Sequence, residues 1–176
     1  TAEANARVTV TVNNATYTTT ADGSGNWSIT TATLPSGTYS VIATATDAAG
    51  NTSAVGTGNL VIDTKAPTVV LTHSGSDLIV RDADTETITA TFSESMTATP
   101  TITIALSNGT SIIAAALSGS GTTWTYPWNV PAGSDGTATV TVAGSDLAGN
   151  AYAGTTNLVF TIDNTAPTEP VVTSAN

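Results

Sequence analysis

The chain has 176 residues and a mass of 17.5 kDa, with three Lys/Arg against thirteen Asp/Glu and a net charge of −10. Basic residues this scarce leave no cationic footprint for a phosphate backbone or an anionic bilayer surface, and no apolar run is long enough to span a membrane. The absence of cysteine removes disulfides, thiol nucleophiles and thiolate zinc sites. Threonine forms about a fifth of the chain and glycine contributes fifteen residues, a composition that favours strands and tight turns over helices.

Period-two alternation bounded by turn residues predicts strands over 7–12, 15–21, 26–31, 37–46 and 60–63, with Asn13-Asn14 turning the first pair. Next comes an Asp-x-x-Ala-Pro stretch at 63–67. Proline holds the residue before it in extended backbone, so this reads as a short, stiff joint. Beyond it, strands are predicted over 68–72 with 78–80 (A), 86–92 (B), 99–106 (C), 111–117 (D), 122–130 (E), 136–144 (F) and 157–163 (G). Asn108-Gly109, between C and D, is the strongest hairpin signal in the chain. A second Asp-x-x-Ala-Pro stretch ends at Pro167, and 168–176 reads as the first strand of a further copy.

Self-comparison organises these elements. GTYSVIATATDAAGN at 37–51 aligns without a gap with GTATVTVAGSDLAGN at 136–150, an offset of 99, and the two Ala-Pro joints align at an offset of 100. The expected division is 1–65, 66–165 and a tail or following repeat at 166–176. Fewer residues precede Gly37 than separate the first joint from Gly136. The first module is therefore expected to lack its opening strand or two, and a chain starting at Thr1 without Met reads as an excerpt. Seven short strands in about 100 residues predict an all-β fold of tandem immunoglobulin-like β-sandwiches, the first truncated at its N-terminus. Trp124, Tyr126 and Trp128 share one face of strand E, and Trp27 with Ile29 does so in the first module. Period-two spacing assigns these rings to the core, and Pro127 between the indoles predicts an edge or a bulge.

The stretches DGSGNWSI, LPSGTYSVIATATDAAGN and IDTKAPTV, then ATFSESM, SDLAGNAYAG and FTIDNTAPT, resemble the tandem bacterial Ig-like domains of giant secreted adhesins and other repetitive surface proteins. The resemblance covers nearly the whole chain. It implies a non-enzymatic extender module at the bacterial cell surface, whose partners are neighbouring Ig-like repeats of the same chain, with any host or surface ligand taken by other domains. It also implies calcium at the joints.

Strand direction places the acidic residues. With strand A entering at one end, the B–C and F–G loops lie at that same end, beside the preceding joint. Asp63, Glu94 and Asp146 are thereby expected to converge, with the carbonyls of Thr64 and Lys65 and the side chain of Asn150 within reach. Carboxylates among oxygen-rich neighbours, with no thiol or imidazole, describe a Ca²⁺ site better than the rigid octahedron of Mg²⁺. Glu3, Asp47 and Asn51 are the equivalents at the head of the first module, and Asp163 with Asn164 would await the loops of a following one. Asp82 and Asp84, in Asp82-Ala-Asp84-Thr-Glu86, have a D-x-D-x-E spacing without the glycine of an EF-hand, so a second calcium position there competes with an ordinary acidic turn. Asp22-Gly-Ser-Gly-Asn reads as a hairpin turn, and Asp77 and Asp135 as solvated charges.

Other functions find less support. No Gly-x-Ser-x-Gly elbow is present, and His73 lies in a loop-like stretch with no obvious acid partner, as a surface histidine would. Repeated Thr-x-Thr invites an ice- or crystal-binding reading, but sandwich sheets twist and threonine is the ordinary outward residue of a strand. The main alternative is a glycan- or protein-binding adhesin module, which requires the indoles to lie exposed along a cleft.

Overall fold

A computed structural model describes residues 1–171, and the chain divides after Lys65 into two compact units. The first holds β1 (Arg7–Val12), β2 (Ala15–Thr20), β3 (Gly37–Thr46) and β4 (Gly56–Ile62) in one antiparallel sheet of order β2-β1-β3-β4. Asn13 and Asn14 have φ of 48° and 60°, the left-handed pair that a two-residue hairpin of matching twist requires. The turn sets Val12 opposite Ala15. It also fixes the alternation, so Val8, Val10 and Val12 face Ala45, Ala43 and Val41 across the sheet. Val8, Val10 and Ala21 form the buried cluster, with Trp27 and Ile29 packed against it.

The strand predicted over 26–31 does not form. In the second unit the corresponding segment pairs with strand B, whereas the first unit offers no B among its described residues. Without a ladder partner, Trp27 and Ile29 still pack inward, but the backbone between them stays irregular.

The second unit is a sandwich. One sheet has the order β10-β11-β7-β5 and the other β6-β13-β12-β8-β9. These strands are β5 (Val69–His73), β6 (Ile79–Val80), β7 (Thr85–Phe92), β8 (Thr101–Leu106), β9 (Ser111–Ala116), β10 (Ser118–Ser120), β11 (Thr123–Asn129), β12 (Gly136–Ala143) and β13 (Leu158–Ile162). Strands B, C, E, F and G lie where alternation predicts them, and β8 turns into β9 through Asn108-Gly109, with Gly109 at φ 89°. One predicted strand is split between the sheets, and another is extended by a strand in the opposite sheet. Strand A becomes β5, antiparallel to β7, and β6, parallel to β13. Strand D forms as β9 and is followed by β10, beyond its predicted end, in the other sheet; Gly119 in β10 has φ 151°, where an added Cβ would collide with the Thr123 carbonyl.

Inward residues of both sheets meet in one core: Ile88, Ala90 and Phe92 of β7 against Ile102, Ile104, Val140 and Phe160. Trp128 is 1% exposed and Trp124 7%, with the Trp128 ring 5.1 Å from that of Phe160. The interior between the two sheets is therefore filled in part by indoles. β10 ends opposite Thr125, so at Pro127 β11 has a neighbour on one side only, the edge a proline needs. Residues 168–171 form no strand, and 172–176, the remainder of the predicted further copy, lie outside the described residues.

Candidate metal centre

Three D-x-x-G-N loops share one internal bonding scheme. In each, the aspartate Oδ1 accepts the amides two and four residues on, and Oδ2 accepts the Asn side chain. This joins Asp22 to Ser24 and Asn26, Asp47 to Ala49 and Asn51, and Asp146 to Ala148 and Asn150. The glycine of each loop, Gly25, Gly50 and Gly149, has φ between 79° and 92°, and its amide donates to the aspartate carbonyl. Donors aimed at a carboxylate favour its charged form. Burial alone would raise the pKa of Asp146, but the Asn150 side chain and the amides of Asn150, Ala148 and Gly149 outweigh it and lower the value. Asp47 is lowered chiefly by the Asn51 side chain and amide, and Asp22 chiefly by the Asn26 amide. The recurrence of Asp47 and Asp146 therefore has a local cause of its own, which the Asp22 turn shares.

Asp146 differs in its surroundings: it is fully buried, between β12 and β13. The loop after β7 is stitched to it. Met96 bridges to Asp146, the Thr97 amide donates to the Ser145 carbonyl at 3.0 Å, and the Thr97 hydroxyl donates to the Asp146 carbonyl. That seam brings Glu94 alongside, with a carboxylate oxygen within 4.8 Å of one of Asp146. Two oxygens on opposite sides of a calcium ion stand at most about 5 Å apart, because each Ca–O bond is about 2.3–2.6 Å. The two carboxylates thus fit a shared ion. Asn150 turns its Nδ2 to Asp146, which directs its Oδ1 away.

Asp63 closes the first unit, its Oδ1 accepting the Lys65 amide at 3.0 Å, while the Thr64 amide donates to Ser36. Glu3, Asp47 and Asn51 line one cleft of about 320 Å³ in the first unit. At the far end of the second unit, Asp82, Asp84, Asp163 and Asn164, expected as separate sets, line a single cleft of about 630 Å³. Here the Asp82 amide donates to Asn164 Oδ1 and the Gly133 amide to Asp82 Oδ2. Asn164 donates twice to Asp135, so Asp135 is exposed but engaged. Asp82 Oδ1 is buried and has no partner among the described residues. Asp84 accepts the Arg81 amide and lies 3.7 Å from the Arg81 guanidinium.

Two expectations are corrected. The D-x-D-x-E residues do not form one ligand set, because β7 begins at Thr85 and its alternation sends Glu86 into the interior, 8% exposed. Nor is His73 a surface residue without an acid: it ends β5 with its Nδ1 3.3 Å from Glu86 Oε2 and its ring edge-on to Phe160. Cross-strand register made that pair, since His73 faces Ile88 and Glu86 lies two residues along the same face. Ser74 donates its hydroxyl to Glu86 rather than to the imidazole, so this cluster does not activate a nucleophile.

Among the described residues no helix is long and apolar enough to cross a membrane. No curated protein matches the chain. Residues 1–64 and 66–164 each match the bacterial Ig-like domain, and the chain belongs to that family.

Proposed function

We propose that the chain is an extender segment of a large bacterial surface adhesin, in which calcium at the head of the second unit stiffens the array. The observation that carries this reading is the approach of Glu94 and Asp146 to within 4.8 Å. Asp63 is the third ligand. Thr68 exchanges bonds with Ser93, the neighbour of Glu94, and Asp63 hangs from Thr68 on a tether of at most about 18 Å. The carbonyls of Thr64 and Lys65 lie on that tether, and Asn150 Oδ1 completes the oxygen set. Glu3, Asp47 and Asn51, and Asp163 with Asn164 and Asp82, are the positions that would serve further joints. Asp84, held by Arg81, is the weakest donor of that group. Bacterial Ig-like domains are commonly surface modules, which supports an extracellular location.

Calcium titration followed by calorimetry, with scattering in calcium and in chelator, tests the reading. Glu94→Gln removes a ligand charge without disturbing the loop bonds of Asp146 and is expected to weaken calcium binding by about tenfold or more. Identical scattering profiles with and without the metal would count against stiffening. The glycan- or protein-binding alternative loses two of its three rings in the second unit, where Trp124 and Trp128 are buried and Tyr126 is half-buried against the core. Trp27, partly exposed, lines an apolar cleft of about 560 Å³ in the first unit, and any ligand contact through an indole belongs there.

A further inference from the structure

Glu86 is one of few buried polar residues, and its carboxylate is spent on a crossover. Its Oε2 accepts the Ser74 hydroxyl at 2.8 Å and the Gly75 amide at 2.9 Å, and lies 3.3 Å from His73 Nδ1. Ser74 Oγ in turn accepts the Thr87 amide at 2.9 Å. A Cβ at position 75 would collide with Glu86 Oε1, so a larger residue there would have to displace the carboxylate from its present place. The His73 ring meets Phe160 of β13 edge-on at 5.2 Å. Residues 73–75, where strand A leaves one sheet for the other, are thus fastened to both.

The strand beyond the crossover gives this a mechanical meaning. β6 runs parallel to β13, with the Thr161 amide donating to Leu78 at 2.8 Å and the Asp163 amide to Val80 at 2.9 Å. β5 and β6 carry the chain into the unit and β13 carries it out. Tension between the ends drags parallel neighbours in opposite directions along their axes, which loads their bonds together rather than one by one. β5 is the first segment to feel that tension, and on its own it could peel from β7 without disturbing β6.

We infer that the Glu86 carboxylate is a latch that joins β5 and β6 into one load path, so that strand A resists pulling as a unit. The latch does not involve calcium and stands whether or not the metal binds at Glu94 and Asp146.

The test is force spectroscopy on the full chain held by its two ends in chelator. Full extension of 69–162 releases roughly 300 Å, which identifies the second unit. The parent is expected to unfold there in one step. Glu86→Gln and Ser74→Ala are expected to add a short early release as 66–78 peel away, the contour of about 40 Å less the span that extended β5 already covers, and to raise the unfolding rate at fixed force about five- to tenfold. Should Glu86→Gln fail to fold, Ser74→Ala, at an exposed position, carries the test. Thr161→Pro, which deletes the bond to Leu78 at an exposed site, is expected to raise the rate without the early release. Variants that lose chemical stability yet unfold in a single step at the parental force would overturn the latch.

Discussion

Replacing Trp128 separates a core indole from a binding platform. The side chain is 1% exposed, on β11, with its ring 5.1 Å from Phe160. Truncation of a buried Trp to Ala costs about 3–5 kcal/mol, and the lost ring pair lies within the 0.5–1.5 kcal/mol range for aromatic contacts, so Trp128→Ala should lose about 4 kcal/mol. In a unit of about 100 residues that corresponds to a fall in Tm of roughly 16–32 °C. Trp128→Phe should behave differently. Nε1 is buried and finds no acceptor among the described residues. A smaller ring forfeits about 1 kcal/mol of burial, while deleting an unpaired buried donor recovers about 1–3 kcal/mol. The phenylalanine variant is therefore expected to be as stable as the parent or up to about 2 kcal/mol more so. Urea denaturation followed by circular dichroism measures both, and a glycan-binding screen runs beside it. A Trp128→Ala protein of parental stability that has lost a carbohydrate ligand would refute the core assignment. A phenylalanine variant as damaged as the alanine one would refute the argument about Nε1.

Two further outcomes rest on local geometry. Burial alone would raise the pKa of Glu86, yet the Ser74 hydroxyl, the Gly75 amide and His73 bring it below the ordinary glutamate value of 4.5. A depressed carboxylate contributes stability that is complete above the unfolded value and is lost as pH falls through the folded one. Glu86→Gln should accordingly be less stable at pH 7 and show a flatter acid limb in urea midpoints between pH 5 and 2. At the β1–β2 turn, Asn13 and Asn14 both occupy left-handed backbone. A double change to Ala is expected to cost about 2–4 kcal/mol, from about 1–2 kcal/mol for each residue held there, while Asn14→Gly should be neutral or stabilising in the same denaturation assay.

Much of this architecture is legible because alternation and strand direction work together. Alternation marks the strands, and strand direction then brings the loop holding Glu94 to the loop holding Asp146. Alternation does not say to which sheet a strand belongs. The division of strand A depends on Glu86 reaching Ser74 and Gly75, and the added strand after D on a glycine whose backbone grazes Thr123. These are tertiary contacts with no local signature. The segment 26–31 has the pattern of a strand and lacks only a neighbour, which its own residues cannot reveal. Likewise the His73–Glu86 pair is formed by residues on two different strands that register brings to one face, and the same alternation separates Glu86 from Asp82 and Asp84.

The aspartate loop carries a consequence beyond metal binding. Its bonds run among residues at most four apart, and segments this short close in well under about 100 ns, long before distant strands can meet. It also serves different corners, following β2 at Asp22 and bridging F to G at Asp47 and Asp146. A corner indifferent to what it connects can be duplicated without redesigning its flanks. Five residues with this grammar are therefore a graftable part, suited to capping an unrelated hairpin whose native bend is poorly ordered.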